Sequence, residues 1–256
     1  MPCPEDIGRE EIKMSRDHFI LPDAQVRPGV NTDHLEAAGN YIEYHRPDVV
    51  VNLGDWWDMH SLSSYDRGTK KAEGNRYMED IASGKEAMDR LIAPISYYPE
   101  MHFLIGNHEQ RIERFVNATP ELYGELSYDD FELEAHGWTV HDFLKIVTLD
   151  GLNYAHYFAA KGTGRAMGAQ ASTMLKQLGF SFVAGHRQGL ESASLHLNNG
   201  KVRRGLIGGS FYSHNEAYLG YQGNNHYRGC IHLHEVSGGD YRLEELPLEY
   251  LMKHYM

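Results

Sequence analysis

Three times in this chain an apolar run rich in β-branched or aromatic residues stops at a glycine, and a carboxylate, carboxamide or imidazole follows at once. "PDVVVNLGD" ends at Asp55, "MHFLIGNHE" at Asn107, His108 and Glu109, and "FSFVAGH" at His186. Runs of this kind read as buried strands. A glycine at the strand's end lets the backbone enter a tight turn that other residues resist. Two more apolar runs end alike, "HFILPDAQ" delivering Asp23 and "NYAHYF" delivering His156. Polar side chains at neighbouring strand ends converge in space, which is how an open α/β sheet builds a site.

The rest of the chain agrees with an α/β plan. Residues 1–17 are polar and read as an N-terminal arm, and 18–256 as a single domain. Helical spacing of Leu35, Ala38, Tyr41 and Ile42 predicts a helix over 34–45, between two strands. That order favours parallel pairing through a crossover. Further helices are expected over 74–93, over the acidic stretch 111–136 and near 169–178. Two or three strands are expected over 139–158, with Asp150 and Gly151 as a hairpin turn, and β structure dominates after residue 200.

A formal charge of −12 argues against holding duplex DNA by bulk electrostatics, although a local basic patch is compatible with it. Only Cys3 and Cys230 are present, the N-terminal stretch lacks the plan of a signal peptide, and no apolar run nears the roughly 18 residues of a membrane span. A cytoplasmic protein with no membrane partner is expected.

Set in order, the polar blocks are "PDAQ" (22–25), "GDWWD" (54–58), "GNHE" (106–109), "AHYF" (155–158) and "GHRQ" (185–188). This series resembles the calcineurin-like metallophosphoesterases, whose blocks run D-x-H, G-D-x-x-D, G-N-H-[DE], H and G-H-x-H. The resemblance implies a four-layer α/β/β/α sandwich with mixed sheets. It also implies hydrolysis of a phosphate ester by in-line attack of a metal-bound hydroxide at a dinuclear centre. By position Asp55 would bridge two ions, Asn107, His156 and His186 would complete the second ion's ligands, and Asp23 would bind the first. His108, oriented by Asp58, would face the leaving group. Chemically, two cations sharing a carboxylate can clamp a phosphoryl group and lower the pKa of water between them.

Two positions depart from the family pattern. Gln25 and Gln188 stand where the family has histidines, and both of those belong to the first ion. An all-oxygen set suits Mg²⁺, Mn²⁺ or Ca²⁺, whereas the histidine-rich second set suits Mn²⁺, Fe²⁺ or Zn²⁺. Mn²⁺ is therefore the expected activating ion, ahead of Mg²⁺, Zn²⁺, Fe²⁺ and Ni²⁺. The substrate expected is a phosphodiester in nucleic acid or a nucleotide. Arg111 would neutralise a phosphate oxygen, and Trp56 would stack on a base unless it and Trp57 simply cover the core. A phosphomonoesterase or protein phosphatase, and a non-catalytic metal-binding scaffold, are the alternatives. The small basic loop with Tyr65, Arg67, Lys70 and Lys71 reads as solvated, and "KGTGRAMG" as a loop near the site. His232 and His234 alternate with apolar neighbours and share one strand face, read as solvated rather than as a separate metal site.

Overall fold

The apolar runs become the strands that their β-branched content predicts. The computed structural model describes residues 14–216 and 219–256, and among these the chain forms eleven strands and six α-helices in two mixed sheets. The first sheet uses β1 (Arg16–Leu21), β2 (Val49–Asn52), β3 (Glu100–Leu104) and β4 (Thr139–His141), all parallel. Helices α1 (Asp33–His45) and α2 (Tyr77–Ile92) make the first two crossovers. After a third helix, α3 (Arg111–Ala118), and β4, the chain enters the second sheet through the hairpin β5 (Val147–Leu149) and β6 (Leu152–Ala155). Asp150 and Gly151 both have positive φ, 48° and 81°, as the expected hairpin turn requires.

The second sheet continues through α4 (Ala171–Leu178), β7 (Phe182–Ala184), β8 (Leu190–His196) and β9 (Val202–Gly208), in the order β5-β6-β7-β9-β8. A single helical turn, α5 (Gly220–Gly223), precedes β10 (Gly229–Ser237) and β11 (Asp240–Pro247), which return to the first sheet beside β1. Helix α6 (Leu248–Tyr255) ends the chain.

Strand periodicity divides the interior in three. Ile20, Val51 and Leu104 of the first sheet pack against Tyr154, Val183 and Leu206 of the second. On the other face of the first sheet, Phe19, Val50 and Phe103 pack with Ile42 of α1, Met88 of α2 and Leu251 of α6. On the other face of the second sheet, Phe182 and Ile207 meet Met174 and Leu175 of α4. Alternation at Phe19 and Ile20 is the two-residue period of a strand buried on both faces.

Several expectations need correction. The N-terminal arm ends sooner than residue 17, since β1 already begins at Arg16; residues 1–13 lie outside the described residues. The acidic helix expected over 111–136 is one short helix followed by 3₁₀ turns at Pro120–Leu122 and Tyr128–Phe131, because Pro120 has no N–H to continue the ladder. Strand β8 and helix α6 were not expected. His232 is 1% exposed, so the face it shares with His234 is not solvated. No helix of the described residues is long and apolar enough to cross a membrane.

His34 of α1 ties the helix to the segment after β9. Its Nε2 lies 3.0 Å from the carbonyl oxygen of Phe211, its ring meets Phe211 edge-on at 4.8 Å, and Nδ1 is buried with no partner. Burial holds this imidazole down at about 4, against the 6.5 of an unfolded chain. The unfolded state therefore binds the proton more readily between those values, and stability is lost as pH falls from 6.5 towards 4. His34 is expected to contribute a loss of about 3 kcal/mol to urea unfolding over that window. His34→Gln should remove that share and make the pH dependence shallower; an unchanged pH dependence in that variant would rule out a contribution from His34.

Candidate metal centre

Five segments bring their polar residues to the carboxyl ends of the parallel strands, where the two sheets meet. Asp23 follows β1, Asp55 follows β2, Asn107 and His108 follow β3, His156 follows β6 and His186 follows β7. Asp55, His156 and His186 each offer a ligand atom within 4.8 Å of the others. His156 Nε2 lies 2.9 Å from Asn107 Oδ1 and 3.4 Å from Asp55 Oδ1. Its other nitrogen, Nδ1, donates to the carbonyl of Leu53 at 2.8 Å, which directs Nε2 into the site.

Asp23 joins this group through its neighbours. Its Oδ1 accepts the N–H of His186 at 3.0 Å, while Oδ2 is buried with no hydrogen-bond partner. Gln25 Oε1 is likewise buried and unpaired. Two orphaned oxygens next to a His/Asp grouping fit a cation, because buried polar atoms otherwise find partners. Gln188 differs, since its Oε1 accepts the hydroxyl of Tyr212 at 2.9 Å. His226 Nε2 in turn lies 3.3 Å from that hydroxyl and 2.9 Å from Ser210 Oγ.

Electrostatics separate the two buried aspartates. Burial and the charge of Asp55 push the Asp23 carboxyl up to about 7. Burial opposes ionisation of Asp55 as well, but the positive charges of His108 and His156 hold it well below the usual carboxylate range. Burial pulls His156 down, yet the charge and hydrogen bond of Asp55 carry it up to about 9. Burial and the charge of His156 lower His186 to about 4, leaving a neutral imidazole. So much buried negative charge needs cationic compensation.

His108 and Asp58 meet as expected. His108 Nδ1 lies 3.0 Å from the carbonyl oxygen of Asp58 and 3.1 Å from its Oδ1. Asp58 is fixed from the other side by Arg27, whose Nη1 donates to Oδ2 at 2.9 Å. Arg111 donates to the Asp58 carbonyl at 2.6 Å and lies 3.3 Å from His108 Nε2. Burial lowers His108, but Asp55 and Asp58 together raise it above its ordinary value.

Trp56 is a correction. It is fully buried, and its indole N–H donates to the carbonyl of Gly84 in α2 at 3.0 Å, so it cannot stack on a ligand. Trp57 is buried too, stacked on Phe131 at 4.1 Å and seated on Gly84, where a Cβ would come within 1.7 Å of its Nε1. The two tryptophans anchor the loop from within the core. The open surface beside these residues is instead a cavity of about 430 Å³, bordered by Asn107 and His186 and lined by Arg67, Arg111, Arg114 and Arg165. Arg165 comes from the glycine-bearing loop and Arg67 from the basic loop. A second cleft on the side of Asp58 and His108 shares Arg111 and takes in Lys71.

Glu109 plays a part that its place beside His108 disguises. It is fully buried; Oε2 accepts the N–H groups of Asp55 and Gly106 at 2.9 Å each, and Oε1 that of Trp57 at 3.0 Å. It clamps the two loops together, and burial and the charge of Asp55 push its carboxyl up to about 7. Gly106 makes that approach possible, because a Cβ there would fall 2.2 Å from Asp55 Oδ1. In the sequence this role shows only as a glutamate three residues after a strand-ending glycine.

No family model matches this chain. It is similar to the Gene 54 protein of Mycobacterium phage D29, 25% identical over 188 residues, covering 70% of this chain and 72% of that protein. It is equally similar to the Gene 54 protein of Mycobacterium phage L5, 26% identical over 193 residues, covering 71% and 73%. One crystal structure aligns with 91% of this chain and 100% of its own at 13% identity, with a TM-score of 0.43.

Removing the Glu109 carboxylate strands three buried N–H groups, each costing about 1–3 kcal/mol. Glu109→Ala is expected to lower the unfolding free energy by about 3 kcal/mol or more, read from the urea midpoint, and Glu109→Gln by less. An unshifted midpoint in Glu109→Ala would show that the clamp does not hold the loops.

Proposed function

We propose that this chain is a metallophosphoesterase of the calcineurin-like kind, a four-layer α/β/β/α sandwich that hydrolyses a phosphodiester in a nucleotide or nucleic acid. The observation that carries the reading is the meeting of Asp55, His156 and His186 within 4.8 Å, from three strand ends in two different sheets. Asn107 reaches the same point through its Oδ1. The three separate cores, with helices outside both sheets, support the layered arrangement.

In this reading Asp55 would serve two divalent cations, with His156, His186 and Asn107 as the residues that would hold one and Asp23 and Gln25 those that would hold the other. Gln188 is the least available oxygen, since Tyr212 already donates to it. An oxygen-dominated first position next to a histidine-rich second one favours Mn²⁺, and makes the first ion the weaker bound. When bound, such a pair polarises the phosphoryl oxygens and lowers the pKa of an attacking water.

The chain's own residues do the rest. Asp58 fixes His108 through Nδ1, which leaves Nε2 as the atom that gives a proton to the departing oxygen. Arg111 lies 3.3 Å from that Nε2, so a phosphate that draws the guanidinium towards itself also frees the imidazole to take up its proton. Four arginines on the adjoining cavity suit a substrate with more than one phosphate, or a chain of them. This local basic surface lies on a protein of net charge −12, so the attraction is confined to the site.

The test is hydrolysis of bis-p-nitrophenyl phosphate against p-nitrophenyl phosphate with Mn²⁺, Mg²⁺, Ni²⁺ or Zn²⁺. Diester turnover is expected, greatest with Mn²⁺. Asn107→Ala should abolish it. His108→Ala should lower kcat by about 10²–10⁴-fold with metal binding retained. Faster monoester cleavage would point to a phosphomonoesterase, and a folded protein inactive with every ion would leave only the scaffold reading.

A further inference from the structure

A second group of ligands lies at the far end of the first sheet. Asp17 of β1 and His232 and His234 of β10 each offer a ligand atom within 4.8 Å of the others. Asp17 is six residues before Asp23 along the same segment, which puts about 20 Å between this group and the candidate centre.

The local backbone explains why the three side chains meet. The register between β1 and β10 shifts here, with Arg16 opposite Val236 and His18 opposite Leu233, so two residues of β10 face one of β1. That is a bulge, a device that re-aims side chains at sheet edges and sites. Asp17 locks it, its Oδ1 accepting the N–H of Glu235, whose φ is 55°. The other carboxylate oxygen then lies between the two imidazoles.

Distances and partners both suit a cation. Asp17 Oδ2 is 3.1 Å from His234 Nδ1, a hydrogen bond whose proton a cation would replace, and 3.5 Å from His232 Nε2. Ligand atoms at about 2.0–2.1 Å from a tetrahedral Zn²⁺ lie about 3.3 Å apart, and the two distances bracket that edge. Each ring is held through its remote nitrogen, His234 Nε2 by Glu244 Oε2 at 2.6 Å and His232 Nδ1 by the Tyr41 hydroxyl at 2.9 Å. Metal-binding histidines are oriented in this way by outer carboxylates and hydroxyls. His232 Nε2, on a side chain 1% exposed, has no hydrogen-bond partner although it faces the group. A buried nitrogen aimed at a carboxylate without bonding it leaves room for an ion between them.

We propose that Asp17, His232 and His234 form a separate mononuclear site for a borderline transition-metal cation, Zn²⁺ by preference, with a remaining position open to solvent. Two imidazoles and one carboxylate favour Zn²⁺, Co²⁺ or Ni²⁺ over Mg²⁺ or Ca²⁺. Its effect is structural, since it joins β1 to β10 and, through Glu244 and Tyr41, to β11 and α1. The proposal does not depend on phosphoesterase chemistry.

The experiment counts Zn²⁺ bound per chain after chelator treatment and equilibrium dialysis against Zn²⁺ alone, for the full chain and its variants. His234→Ala and Asp17→Asn should each lose one equivalent relative to the unaltered chain, and His156→Ala should leave that equivalent in place. In crystals soaked with Zn²⁺, an anomalous peak is expected among Asp17, His232 and His234. Equal Zn²⁺ counts in folded His234→Ala and the unaltered chain, or no peak there, would overturn the proposal. Should His234→Ala fail to fold, Asp17→Asn and the soak decide alone.

Discussion

One carboxylate sets the shape of the candidate centre. Glu109 accepts N–H groups from Asp55, Trp57 and Gly106, and so joins the turn after β2 to the turn after β3. Those turns carry Asp55, Asp58, Asn107 and His108. An acceptor with three backbone donors in a dry interior is worth more than the same bonds in water, and costs more if broken. Trp56 and Trp57 complete the constraint from below, pinned to α2 through the carbonyls of Gly84 and Ile81. Asp55, Asp58, Asn107 and His108 thus project from a rigid double turn.

The same interior imposes an electrostatic demand. Asp23, Asp55, Asp58 and Glu109 are all buried within this small region, and the protein as a whole is acidic. His156, His108, Arg27 and Arg111 offset part of that charge. Asp23 is the residue left over: pushed up by burial and by Asp55, its second oxygen has no donor. A cation binding there would replace a proton, which makes metal affinity at that position dependent on acidity through Asp23 rather than through an imidazole. Gln25, a ligand candidate without a titrating proton, fits that distribution of roles.

Much of the fold, and most of the site, was legible in the amino-acid order, for a physical reason. Strand ends that release polar residues through a glycine are local events, visible at Asp55, Asn107 and His186, and parallel strands make them converge. What the amino-acid order conceals is non-local. Trp56 reads as a stacking platform until α2 is known to lie beneath it. Glu109 reads as a third functional group until its oxygens meet the N–H groups of a segment more than fifty residues away. Gln188 reads as an available oxygen until Tyr212 is found to donate to it. His232 and His234 alternate as a half-exposed strand would, and only α1 and α6 packing over that face buries the first of them. Strand β8, "LESASLH", carries too little apolar content to declare itself, because it is an edge strand with one face in solvent.

The two candidate metal sites use the backbone in opposite ways. At the strand ends, Gln25, Asp55 and His186 all take left-handed conformations, with φ of 43°, 52° and 66°. Such positions cost energy for residues other than glycine, and they persist only when surrounding bonds over-determine them. Here the ligand segments supply those bonds to one another. The N–H of Gln25 donates to the carbonyl of Asp55 at 2.9 Å, that of His186 to Asp23 Oδ1 at 3.0 Å, and that of Asp55 to Glu109. A ligand set built this way is pre-organised, so binding energy is not diverted into ordering loops. At Asp17 the ligands sit on regular strands instead, and a single bulge does the aiming. A cation there would stiffen a pairing of two interior strands, β1 and β10, that already exists, whereas at the strand ends the folded backbone has already met the cost of gathering the ligands.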